Sequence, residues 1–111
     1  MTTVTIYKSS SGDYTGLTVN GHAGYAEAGN DIVCAAVSTL TINTINSIDQ
    51  FTEDKVTVSQ DEEQVVIEAG FSGKNGVLSP EAVLLLQSFE MGVRELAKQY
   101  EEVQVLIKER G

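Results

Sequence analysis

The stretch DIVCAAVSTLTINTINSI, Asp31 to Ile48, decides the fold because it predicts one long helix in the middle of a short chain. No charged residue occurs from Ile32 to Ile48, whereas a surface helix normally carries a charged face. We therefore expect a central helix that is covered on most sides, with a dimer partner as one candidate for part of that cover. The residues that recur at helical spacing are Val33, Val37, Leu40, Thr44, Ile48 and Phe51.

The remaining pattern predicts strands and a second helix. Ser79 can cap that helix and Pro80 suits its first turn, and an apolar stripe then runs to Tyr100. Segments rich in β-branched and aromatic residues predict strands at Val4 to Tyr7, Tyr14 to Val19, Lys55 to Gln60, Gln64 to Ala69 and Val103 to Ile107. The order ββαββαβ favours an α+β fold in a single domain, residues 1–111, with a mixed or antiparallel sheet packed on two helices.

Three segments between these elements are predicted to be loops. Gly21 to Asn30 is rich in Gly and Ala and has no periodicity. Asp61, Glu62 and Glu63 form an acidic turn that fits a solvated hairpin tip. The stretch from Gly70 to Pro80 is a Gly-rich connection, and it lacks the spacing and the Lys-Ser/Thr ending of a phosphate loop.

Composition narrows the function classes. The chain has 111 residues and a formal net charge of −9, which disfavours direct nucleic-acid binding and favours a basic partner, although acidity also serves solubility alone. A single cysteine excludes an internal disulfide. The N-terminus does not resemble a signal peptide, and no segment is expected to approach the length of a membrane-spanning helix. We expect a cytoplasmic protein.

The single histidine and the single cysteine flank the Gly-rich loop. If Asp31 caps the helix, Cys34 lies in its first turn, where the positive end of the helix dipole favours the reactive thiolate. His22 can then act as general base, and Asp31 either caps the helix or orients the imidazole. The residues Gly21, Ala23 and Ser38 are candidates for lining the same cleft.

Other readings of these residues remain open. A lone cysteine among Ile, Val and Ala is often a small buried hydrophobic residue, and a lone loop histidine often lies on the surface. A metal site is disfavoured because one Cys and one His leave further ligands to be found among carboxylates. We predict neither a metal nor another cofactor.

The stretch GHAGYAEAGNDIVCAAVS closely resembles the signature of the ribosomal-processing cysteine proteases, the Prp family. The fixed elements of that signature are present as Gly21-His22-Ala23, Gly29 and Asp31 through Ser38. The length of the chain and the order of its elements are also similar to the family.

This resemblance implies a Cys–His endopeptidase with Cys34 as nucleophile, His22 as general base and Asp31 in support. It implies removal of a basic N-terminal extension from large-subunit ribosomal protein twenty-seven, with cleavage after a Phe-Phe pair and before Ala, and it implies a homodimer. The loop from Gly21 to Asn30 is then a hypothetical lid that places His22 when substrate arrives. Two alternatives are a non-catalytic, acidic ribosome-associated protein that binds the same extension, and a structural dimeric domain in which Cys34 is core.

Overall fold

The computed structural model describes residues 1–21, 28–61 and 66–110, and in residues 28–31 it describes the backbone. The predicted order ββαββαβ is confirmed, with one short 3₁₀ turn at Lys74–Gly76 between the fourth strand and the second helix. The elements are β1 (Thr2–Lys8), β2 (Tyr14–Asn20), α1 (Ala28–Phe51), β3 (Lys55–Asp61), β4 (Val66–Ser72), α2 (Pro80–Gln99) and β5 (Val103–Glu109).

The five strands form one sheet in the order β3-β4-β2-β1-β5. The β1–β5 pair is parallel and the other three pairs are antiparallel, so the predicted mixed sheet is confirmed. Side chains alternate between the faces of a strand. One face of this sheet carries the strand residues of the core, which are Val4, Ile6, Leu17, Val19, Ile67, Ala69, Phe71 and Val103.

The strand β4 continues beyond its predicted end into the segment that was expected to be a loop. Gly70 pairs with Gly16 of β2, and Phe71 is buried in register after Ile67 and Ala69. A Cβ atom at Gly16 would lie 2.7 Å from the Ala69 carbonyl oxygen, so this position requires glycine. A Cβ atom at Gly70 would likewise lie 2.9 Å from the Thr57 hydroxyl, so this first glycine of the predicted loop reflects close strand packing. The predicted acidic turn at Glu62 and Glu63 lies outside the described residues, while Asp61 ends β3.

The helix α1 packs against the sheet and against α2 with one face, whereas the face with residues 32, 35, 39, 43 and 46 is exposed, so the expected cover on most sides is not present within one copy of the chain. Val37 and Ile48 are fully buried, and the buried Thr41 donates its hydroxyl to the Val37 carbonyl at 2.7 Å. By length and composition alone, the stretch Ile32–Phe51 could cross a membrane. This corrects the expectation that no segment approaches the length of a membrane-spanning helix. The core helix of a globular domain meets the same criteria of length and composition, and α1 contributes residues to the hydrophobic core.

The helix α2 begins where the sequence predicts, and a side chain outside it reinforces the cap. The Ser79 hydroxyl accepts a hydrogen bond from the Ala82 N–H at 3.1 Å. The same hydroxyl donates to the Asp54 carboxylate, which also accepts from the Ser79 N–H at 3.2 Å. Asp54 is 9% exposed and follows α1, so it ties the end of the first helix to the start of the second.

Candidate active site

Cys34 lies in the second turn of α1, because the helix begins at Ala28 and not at Asp31. The expectation that Asp31 is the N-cap and that Cys34 lies in the first turn was wrong. Ala28 and Gly29, which were assigned to the loop, continue the helical backbone toward the N-terminus. Since the effect of the helix dipole falls off within the first turn, it favours a thiolate at Cys34 less than the sequence suggested.

The sulfur of Cys34 has a polar partner on the neighbouring sheet. Its Sγ lies 3.1 Å from the hydroxyl oxygen of Thr2, at the start of β1. Thr2 is 3% exposed, whereas Cys34 is half-buried. The thiol therefore lies against a buried hydroxyl in a residue that is itself only partly buried. Cys34 is a free cysteine, so this arrangement can present a sulfur nucleophile.

Sequence reasoning did not identify Thr2, although a signal was present. In β1, Thr2 alternates with Val4 and Ile6 on the face that forms the core. That alternation predicts that the Thr2 side chain points toward the helices. It does not predict which helical residue it meets, because that depends on how α1 is positioned along the sheet.

The other predicted site residues are described to different extents. His22 and Ala23 lie outside the described residues, as does most of the hypothetical lid. The backbone of Asp31 is helical, three residues before Cys34. Gly21 is buried after the last residue of β2, and Ser38 is half-buried one turn after Cys34.

The end of β2 lies beside the start of β1. Asn20 pairs with Thr3, the neighbour of the residue that contacts Cys34. The chain therefore leaves β2 next to the strand end that supports the sulfur. It returns as α1, which carries Cys34. Both ends of the segment that contains His22 are thus anchored on the elements that form this site.

A groove of about 700 Å³ runs between α1 and α2, and neither Cys34 nor Thr2 is among its lining residues. Ile32 stands at its α1 side and is 67% exposed, although it is large and apolar. Gly92 allows the two helices to approach here, since a Cβ atom at this position would lie 2.7 Å from Cδ2 of Leu40. The lining residues are Ile32, Ala35, Ala36, Thr39, Leu40, Asn43, Gly92, Glu95 and Leu96.

Within residues 1–21, 28–61 and 66–110, no group of three His, Cys, Asp or Glu side chains is arranged to hold a metal ion. The most connected charged cluster lies at the opposite end of β1 from Thr2. There, Glu90 of α2 accepts a hydrogen bond from the Tyr14 hydroxyl at 2.9 Å and lies 3.3 Å from the Lys8 ammonium. This cluster fastens α2 to the sheet away from Cys34.

The family model described as Cysteine protease Prp matches residues 1–104, which include the Thr2–Cys34 contact. The chain belongs to this family. The Prp resemblance inferred from the signature is therefore confirmed, and with it the assignment to the cysteine proteases.

One named relative and two solved structures are similar to this chain over nearly its whole length. The Staphylococcus aureus ribosomal processing cysteine protease Prp is 28% identical over 102 residues, or 92% of this chain and 93% of that protein. Its crystal structure with a covalently linked product peptide matches with a TM-score of 0.83 and 28% identity, covering 97% of this chain and 100% of the other. A Streptococcus mutans protein matches with a TM-score of 0.82 and 29% identity, covering 99% and 96%.

Proposed function

We propose that this Prp family member removes the N-terminal extension of large-subunit ribosomal protein twenty-seven, with Cys34 as nucleophile and His22 as general base. Cys34 carries the proposal, because it is a free, half-buried thiol inside the matched family region. The S. aureus relative bears the name of a ribosomal processing protease and has been crystallised with a substrate peptide as well as with a product peptide. The net charge of −9 complements a basic extension.

In the proposed mechanism, His22 takes the thiol proton of Cys34 and the thiolate attacks the carbonyl carbon of the scissile peptide bond. The C–N bond then breaks as His22 returns the proton to the leaving amine, and a thioester remains on Cys34. A water molecule gives a proton to His22 and attacks the thioester, which releases the second product and restores the thiol. The anchoring of β2 supports this pairing, because two residues of chain after Asn20 reach at most about 7 Å.

Because Asp31 lies within the helical span, we do not assign it the role of a cap. We propose that its carboxylate orients the imidazole of His22, which is the role that a third group has in comparable dyads. Gly21, Ala23 and Ser38 are proposed to line the cleft. We also propose a cytoplasmic homodimer, with the apolar face of α1 around Ile32 as part of the contact between the two copies.

Incubation with a peptide that spans the extension and the first mature residues tests the activity. Mass spectrometry is expected to show two fragments that meet after the Phe-Phe pair, and a control peptide with Ala-Ala in its place is expected to remain intact. Binding of the first peptide without any fragment would contradict the protease and would favour the non-catalytic binding protein. Replacement His22→Ala is expected to abolish cleavage while leaving peptide binding measurable.

A further inference from the structure

We propose that Thr2 is a positioning residue for Cys34, and that its hydroxyl donates a hydrogen bond to the thiolate during the reaction. The inference rests on the proposed function, in which Cys34 is the nucleophile. Thr2 adds a hydrogen-bond donor from β1 to a site whose other predicted residues all lie in the range from Gly21 to Ser38. The contact that supports it is the 3.1 Å separation between the Thr2 hydroxyl and the Cys34 sulfur.

The Thr2 hydroxyl is held in place by the sheet. Its backbone N–H donates to the Glu102 carbonyl at 2.6 Å, and Thr2 is the first residue of β1 in register with Val103 of β5. A β-branched side chain has restricted χ1 rotation, so a fixed backbone also restricts the hydroxyl. At 3% exposure, the side chain is shielded from bulk water that would compete for this bond.

The direction of the hydrogen bond changes with the charge on sulfur. In the neutral pair, either the thiol or the hydroxyl can donate. Once Cys34 gives its proton to the general base, the sulfur can only accept, and the Thr2 hydroxyl donates while keeping its own proton. A bond to a charged acceptor is stronger than a neutral one, so the contact stabilises the thiolate relative to the thiol. This donor compensates for the distance of Cys34 from the helix start.

The test is the rate of alkylation of Cys34 by iodoacetamide at neutral pH, which depends on the thiolate and does not require protease activity. Replacement Thr2→Val keeps the shape and removes the hydroxyl, and it is expected to slow this alkylation by roughly tenfold. Replacement Thr2→Ser retains a hydroxyl and is expected to restore the rate. Intact mass verifies that all variants carry the same N-terminus.

A matched control is Thr3→Val, which makes the same change one residue along β1, on the opposite face of the sheet. It is expected to leave the alkylation rate unchanged, and thermal melting checks that each variant is folded. An unchanged rate in folded Thr2→Val, or an equal slowing in Thr3→Val, would overturn the proposal. If Thr2→Val is unfolded, an alkylation rate of Thr2→Ser that is slower than that of Thr3→Val would likewise overturn it.

The same variants separate this inference from the proposed function. Slower alkylation of Thr2→Val, in a protein that cleaves no peptide, would support the hydrogen bond and contradict the protease assignment. Cleavage that depends on Cys34 but is equal in the wild type and Thr2→Val, at saturating and at limiting substrate, would support the protease and contradict the role of Thr2.

Discussion

Tyr14 of β2 and Glu90 of α2 lie 76 positions apart in the chain and are joined by a hydrogen bond of 2.9 Å. Burial, followed by the hydrogen bond to Glu90 and the charge of that carboxylate, raises the pKa of Tyr14 to about 12. Burial on its own raises the pKa of Glu90, but hydrogen bonds from Tyr14, Arg94 and Lys8 outweigh it and leave the pKa lowered. The pair thus couples sheet and helix through an ionised carboxylate.

Replacement Glu90→Gln is expected to destabilise the fold by roughly 1–2 kcal/mol near neutral pH, since it removes a charged carboxylate that accepts hydrogen bonds from three side chains. A carboxyl group whose pKa is lowered by folding contributes stability above its unfolded pKa and loses it as pH falls through the folded value. The difference between wild type and Glu90→Gln should therefore shrink as the pH drops below the ordinary value of 4.5.

Urea unfolding of both proteins across this acidic range measures the effect. The control is Glu95→Gln, which removes one carboxylate from the same helix, where a 3.9 Å pair with Lys98 is largely exposed. A difference between wild type and Glu90→Gln that stays constant down to strongly acidic pH would contradict the linkage.

The cap of α2 provides a second prediction. Replacement Asp54→Ala removes the acceptor for both the N–H and the hydroxyl of Ser79 and leaves these two half-buried donors without that partner. We expect a loss of roughly 1–3 kcal/mol in the free energy of unfolding. Asp49→Ala, at an exposed position of α1, is the matched control and is expected to have little effect. Equal losses in the two variants, measured by urea unfolding, would exclude this role for Asp54.

The close approach of α1 and α2 at Gly92 gives a third prediction. Alanine at this position gains up to about 1 kcal/mol in helix propensity, but its Cβ would lie 2.7 Å from the Leu40 side chain, which must move. Gly92→Ala is therefore expected to stabilise Leu40→Ala more than it stabilises the wild type. A double-mutant cycle measures this coupling, and additive changes would show that the two side chains do not compete for space.

The exposed apolar face of α1 makes a fourth prediction. Ile32→Glu places a charge on a side chain that is 67% exposed in one copy, so it is expected to weaken the proposed homodimer without unfolding the domain. Light scattering over a range of protein concentrations reports the mass. Val77→Glu, at a position that is 74% exposed and outside the groove, is the control.

If Ile32→Glu leaves the dimer intact but raises KM for the peptide, the groove is instead part of the substrate pocket. An unchanged mass together with unchanged kinetics would contradict both assignments of this face. The control Val77→Glu should match the wild type in both measurements.

The order of elements was predictable because each strand and helix carries its own periodicity. The start of α2 followed from the Ser79-Pro80 pair, whereas the lack of charge in α1 did not reveal that one face of this helix is exposed within one copy of the chain. The start of α1 was misplaced because Asp31 is a strong N-cap type, whereas Ala28 and Gly29 give a weak signal. The extension of β4 was missed because Gly70 signals a loop unless its partner Gly16 is known.

For the site, the sequence identified Cys34 but not its hydroxyl partner. Thr2 and Cys34 are 32 positions apart, and they meet because the β1–β5 pairing and the packing of α1 bring them together. Such a contact depends on tertiary geometry and leaves no spacing pattern in the chain. The pairing of His22 with Cys34 stays a prediction, since His22 lies outside the described residues.

The most direct test of the central claim compares the cleavage rates of the wild type, Cys34→Ala and Ser47→Ala on the peptide that spans the extension. Ser47 lies on the same helix, several turns from Cys34, and is likewise half-buried. Ser47→Ala is a matched control because each replacement removes one side-chain heteroatom. We predict that Ser47→Ala cleaves like the wild type and that Cys34→Ala yields no fragments. Fragments produced by folded Cys34→Ala would contradict the assignment of Cys34 as the nucleophile.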